Sequence, residues 1–156
     1  MNLFQAIFKN DPLAIAILHG RRSVSYSELR DETLRTAQLL NAFGVIPGDR
    51  VALLLHDSPE FVEAFIAICS MGAIAVPINM ALRLDDQRAI LNNSGAKFAL
   101  VEVGLRSTLL TDGFKNLQNL RIVVEVDRSK KVEAGKSCRI ASAWQSTRVP
   151  ASRTSR

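Results

Sequence analysis

The stretch Arg50-Val51-Ala52-Leu53-Leu54-Leu55, followed by Ser58-Pro59 and then Ala73-Ile74-Ala75-Val76-Pro77-Ile78, decides the fold class. The first of these runs is apolar on both faces, the pattern of an interior strand in a parallel sheet rather than of a half-solvated one. Ser58 is a good helix N-cap, and Pro59 stands at the first helical position, where its missing amide hydrogen costs nothing. Phe61, Val62, Phe65, Ile66 and Cys69 give the predicted helix a broad buried stripe, and Met71-Gly72 stops it. Working outward, a helix over 84–94 ends at Gly95, a strand spans 97–102, a weaker helical stretch covers roughly 104–118 and a last strand runs from Arg121 to Val126. Strand, helix and strand repeated three times require parallel crossovers, so the expected fold is α/β with a doubly wound, Rossmann-like layer.

Upstream of that layer the chain reads as a short hairpin and two helices. Residues 2–8 form a short amphipathic helix with Phe4 and Phe8 on one face, stopped by Asp11-Pro12. Leu13 to Leu18 is an apolar run of strand length, and His19-Gly20-Arg21-Arg22 turns it into a second strand, Ser23 to Tyr26. Ser25 and Glu28 have the spacing of a capping box. The helix that follows carries Leu29, Thr33, Thr36/Ala37 and Leu40 on one face and ends at Gly44, before the turn Pro47-Gly48-Asp49.

Composition narrows the class. The chain has 156 residues, 47% of them hydrophobic and 22% charged, which suits one globular domain. Its net charge of +5 is unevenly placed: residues 1–135 hold 15 basic and 15 acidic side chains, and 136–156 hold five basic ones and no acid. The predicted folded part is therefore neutral, which removes the main support for nucleic-acid binding. The segment 127–156 has no hydrophobic periodicity and is expected to be a disordered, irregular basic tail. Ala64 to Leu82 lack a charge over 19 residues, yet the helix stop and strand within them, and the acidic flanks, favour a buried helix-turn-strand over a membrane span. Two cysteines, Cys69 and Cys138, make neither a disulfide framework nor a metal motif. The N-terminus has no basic region ahead of its apolar residues, so the expected location is the cytoplasm.

Chemistry is sparse. There is no dinucleotide-binding glycine fingerprint, Walker loop, nucleophile elbow or zinc-protease helix. His56-Asp57-Ser58 contains the three triad residue types, but adjacent positions cannot line up as a relay. His56 follows a strand, at the carboxyl edge where open α/β sheets collect ligands, and is a candidate ligand contact. Asp85 and Asp86 open a helix, where acids suit its dipole. Arg21 and Arg22 read as a solvated turn, Tyr26 as a packing residue and Trp144 as a tail residue without an assigned role. No catalytic, cofactor-binding or metal-binding residue emerges.

The order of four segments is nonetheless specific: Val24-Ser25-Tyr26-Ser27-Glu28-Leu29, Gly44-Val45-Ile46-Pro47-Gly48-Asp49-Arg50-Val51-Ala52-Leu53, Ser58-Pro59-Glu60-Phe61-Val62-Glu63-Ala64-Phe65, and Met71-Gly72-Ala73-Ile74-Ala75-Val76-Pro77-Ile78-Asn79. Over about residues 3–126 the sequence resembles the start of the AMP-forming adenylating (ANL) superfamily of acyl-CoA synthetases, aryl-CoA ligases, luciferases and peptide-synthetase adenylation domains. His56 to Phe61 is most similar to the acid- and aryl-CoA ligase branch. The resemblance implies an N-terminal subdomain at 1–126 and, for complete members, adenylation of a carboxylic acid by ATP with Mg²⁺, then thioester formation with CoA. It also places Arg83 where relatives sometimes put a basic contact to CoA phosphate. The family's phosphate loop, Tyr-Gly-x-Thr-Glu segment, ribose-binding Asp and lid Lys do not occur here. A fragment without activity of its own is therefore expected, with the remaining ligase portion as its natural complement. The alternatives are a standalone binding or regulatory module that pairs with a separately encoded ligase half, and an unrelated small-ligand α/β domain.

Overall fold

The computed structural model describes residues 3–105, 117, 119–126 and 147–148. Helix α1 (Leu3–Ile7) leads into the antiparallel hairpin β1 (Ile15–His19) and β2 (Arg22–Ser25), followed by α2 (Tyr26–Ala42). The layer proper is β3 (Arg50–Leu54), α3 (Pro59–Ser70), β4 (Ile74–Pro77), α4 (Leu84–Ser94), β5 (Phe98–Glu102) and β6 (Ile122–Val126). Strands stand in the order β4-β3-β5-β6, all parallel. The predicted interior strand is thus interior, with β4 on one side and β5 on the other.

Alternation along the strands feeds two cores. Val51, Leu53, Phe98, Leu100, Val124 and Val126 meet Leu40 of α2 and Ala64 and Ile68 of α3. On the opposite face, Ala52, Leu54, Ala99, Val101 and Val123 meet Leu91 of α4. Helices therefore cover both faces, and the doubly wound expectation holds. Ala52 and Ala99 are direct neighbours in register, a small floor on the α4 side of the sheet. Fully buried Leu53, Leu54 and Leu100 each contribute about 1.5–3 kcal/mol by leaving water.

The predicted caps form. Ser25 Oγ accepts from the Glu28 N–H at 3.2 Å, while Glu28 Oε2 accepts from the Ser25 N–H at 2.8 Å. Ser58 caps α3 through the Phe61 N–H, with Pro59 at its first position. Gly95 ends α4 in the left-handed region at φ 66°.

Four expectations change. The first strand begins at Ile15 rather than Leu13, because Asp11 and Pro12 hold a longer turn. Asp11 accepts from the Leu13 and Ala14 amides, and Pro12 and Ala14 accept from the Ser27 and Tyr26 amides. Tyr26 belongs to α2, since Ser25 is the N-cap. The α3 stripe is wider than apolar periodicity indicates: Phe61, Val62, Phe65 and Cys69 are half-buried, whereas Glu60, Glu63, Ala64, Ala67 and Ile68 are buried. The reason is that α3 is clasped on two sides, by the sheet and by α2 with the hairpin. Finally, within 127–156, read above as irregular, Thr147–Arg148 form a strand (β7) antiparallel to β6. The rest of that segment, and most of the helix predicted over 104–118, lie outside the described residues.

A bulge in the hairpin sorts its side chains. Ile15 faces Ser25 and Ile17 faces Val24, so Ala16 is the extra residue. Consecutive Ala16 and Ile17 can then both lean on the small core of Val24, Leu29 and Ile66. Ile15 and Leu18 are left outside, 59% and 76% exposed.

Candidate functional site

In a parallel layer of order β4-β3-β5-β6, the chain leaves β3 toward one side and returns past it to the other. That reversal opens a crevice at the carboxyl ends of β3 and β5, where ligands of such sheets bind. His56 and Asp57 lie there, both exposed, just beyond β3. Across from them is Glu102, the last residue of β5, whose Oε2 accepts from the His56 N–H at 3.4 Å, a long and weak bond. Val103 continues the rim with its amide on the Val126 carbonyl at 3.1 Å, and Gly104 follows at φ 84°.

The loop after β4 opens on the same edge. Asn79 Oδ1 accepts from the Ala81 N–H at 2.8 Å, and the buried Gln87 side chain donates to the Met80 and Leu82 carbonyls at 3.3 and 3.0 Å. These bonds fix residues 79–83 and hold Arg83 as the N-cap residue of α4, exposed and making no side-chain cap. His56 and Arg83 therefore share the carboxyl edge of the sheet.

Other singled-out residues fall elsewhere. Ser58 Oγ is committed to the Phe61 N–H at 3.2 Å, so His56-Asp57-Ser58 is a loop and cap. Asp85 and Asp86 lie in the first turn of α4, Asp85 beside Arg88 at 3.8 Å. Arg21 and His19 are exposed in the hairpin turn, and Tyr26 and Cys69 are half-buried. Arg22, expected in solvent, instead donates to Glu60 Oε1 at 2.9 Å, because α3 brings a buried carboxylate under the hairpin. Trp144 and Cys138 lie outside the described residues. Among the described residues no three His, Cys, Asp or Glu side chains cluster as metal ligands.

Sequence reading missed one polar constellation, between α2 and α3. Glu60 is held by Arg22, and Glu32 by Arg35 at 2.7 Å, but both oxygens of Glu63 are buried without a partner. Burial chiefly, with the charges of Glu60 and Glu32, pushes the Glu63 carboxyl up to about 8, and burial also raises Glu32. The available signal was the spacing of Glu60, Glu63 and Ala67 on one face, opposite the Thr33 and Thr36 stripe of α2.

The AMP-binding enzyme family model matches residues 4–154. Malpibaldin synthetase of Mortierella alpina is 37% identical over 100 residues, covering 64% of this chain and 2% of that protein. The 3-hydroxybenzoate–CoA ligase of Aromatoleum sp. (strain CIB) is 38% identical over 87 residues, covering 56% of this chain and 17% of the ligase. Among solved structures, the anthranilate CoA ligase AuaEII in complex with anthranoyl-AMP aligns with a TM-score of 0.73 and 28% identity, over 81% of this chain and 25% of that one. The chain thus spans a quarter or less of these relatives.

Proposed function

The chain belongs to the AMP-binding enzyme family, and from that premise we propose that it supplies the N-terminal part of an AMP-forming acid–CoA ligase. The observation that carries the reading is the family match over 4–154, joined to a sheet laid out like part of an anthranilate CoA ligase. In the proposed reaction a carboxylate attacks the α-phosphorus of ATP, forming an acyl-adenylate and releasing pyrophosphate. The thiol of CoA then displaces AMP and leaves the thioester.

Residues 1–126 are the N-terminal subdomain in this reading, and 127–156 a basic tail that touches it through Thr147–Arg148 beside β6. The subdomain contributes the carboxyl edge of the sheet, with His56 as the candidate ligand contact and Arg83 as the candidate contact to CoA phosphate. Stabilising the charge that builds on the transferring phosphate needs oriented donors and a cation. In this reading Mg²⁺ is held by the remaining ligase portion, and none of these side chains is assigned to it. The 156 residues contain no Ser/Thr/Gly-rich phosphate loop ending in Pro-Lys-Gly. The remaining ligase portion is assigned the chemistry, the chain alone is assigned no turnover, and a cytoplasmic role in fatty or aromatic acid metabolism is the setting that fits.

Acid-dependent exchange of pyrophosphate into ATP tests this. The 156-residue chain alone should give none above background, while the chain joined to the remaining ligase portion should exchange. Turnover by the isolated chain would overturn the assignment of chemistry, and no exchange by the joined protein with any carboxylic acid would overturn the ligase reading.

A further inference from the structure

Glu63 stands one turn into α3 with 0% of its surface exposed and neither carboxyl oxygen bonded. The groups acting on its charge are Glu60 on its own helix, Glu32 on α2 and Arg22 on β2. Arg22 is already engaged by Glu60, and Arg35 by Glu32. Neither α1 nor β4 carries a charged residue, and β3 brings only Arg50, exposed at its start. Three carboxyl groups thus meet two guanidinium groups that are both in use. An unpaired carboxylate cannot stay ionised in such a place, and the simplest occupant that closes the charge is a proton.

We propose that Glu63 is a proton-operated latch between α2 and α3. Neutral, it allows the two helices to pack; ionised, it forces α3 away from α2. The first turn of α3 carries the Ser58 cap and leads back to His56 and Asp57, so release of the latch loosens the carboxyl edge of the sheet as well. The sign follows from proton binding. The folded chain holds a proton up to about pH 8 that the unfolded chain gives up near its ordinary 4.5. Stability is fully present at the acid end of that interval, falls as pH rises through it and changes no further above it.

Three measurements on the full chain test the latch. In denaturant unfolding between about pH 5 and about pH 9, the wild type should lose stability with a slope near one proton, and Glu63→Gln should lose most of that slope. Parallel slopes would overturn the proposal. Infrared spectra at neutral pH should show a protonated carboxyl band in the wild type that is missing in E63Q; its absence from the wild type would overturn the proposal even if the variant failed to fold. At a matched pH of about 9, amides in the first turns of α3 should exchange at least about tenfold faster in the wild type than in E63Q, and equal protection would overturn the release step.

Discussion

Lys97 Nζ donates to Asp49 Oδ1 at 2.6 Å, joining the residue before β5 to the residue before β3. Asp49 Oδ2 also accepts from the Ile46 N–H at 3.2 Å, closing the Pro47-Gly48 turn beneath the sheet. One carboxylate thus sets the spacing of two adjacent parallel strands at their amino ends, the edge opposite His56 and Arg83.

Lys97→Met should lower stability by about 1 kcal/mol, since the ammonium is partly solvated and screened. The Lys97 ammonium, ahead of the Ile46 amide, holds Asp49 below the usual carboxylate range. A lowered folded value means stability present above about pH 4 and lost as pH falls below it. K97M should flatten the acid limb of a pH–stability curve measured by urea unfolding.

Ser25→Ala removes the hydroxyl half of the capping box, the acceptor for the Glu28 N–H, while the Ser25 N–H can still donate to Glu28 Oε2. The expected loss is about 1 kcal/mol, read as a shift in unfolding midpoint with unchanged denaturant dependence. Ser25→Thr should retain most of the stability, because a hydroxyl acceptor remains.

Gly72→Ala should cost more than Gly20→Ala. Gly72 sits at φ 75°, and an added Cβ would lie 3.3 Å from Pro47 Cβ, while Gly20 at φ 61° has open space. About 1 kcal/mol of left-handed strain is common to both, with the contact added at Gly72 alone. Equal thermal shifts would contradict this ranking.

Leu100→Ala should destabilise by about 2–5 kcal/mol, as truncation in a packed core does. Arg83→Ala, at an exposed cap without a side-chain bond, should stay within about 0.5 kcal/mol. Calorimetry of the two variants separates core from edge.

Leu13→Ser with Leu18→Ser should leave stability nearly unchanged and reduce self-association in sedimentation. Leu13, in the turn ahead of β1, and Leu18, on β1, are 83% and 76% exposed, and large exposed apolar side chains favour contact between molecules.

Much of this architecture was written locally. Val51 to Leu55 announced an interior strand because both of its faces needed cover, and Ser25, Ser58 and Gly95 announced helix ends because their chemistry acts within a turn. The hairpin bulge was not legible, since Ala16 becomes an extra residue only through the register of β1 against β2. The pairing of Arg22 with Glu60 was hidden for a similar reason: it joins residues far apart in sequence, and each alone reads as a surface charge. His56 could be assigned to the sheet edge from its place after a strand, but Glu102 opposite it required the strand order.

Because β3 lies between β4 and β5, its partners are made after it. On a ribosome adding about 5–20 residues per second, Val51–Leu54 wait several seconds until Phe98–Val101 are added. A strand whose Val51–Leu54 are all buried in the finished sheet is therefore the one that waits longest for its second neighbour, and the nascent chain is most prone to chaperone capture or aggregation during that interval.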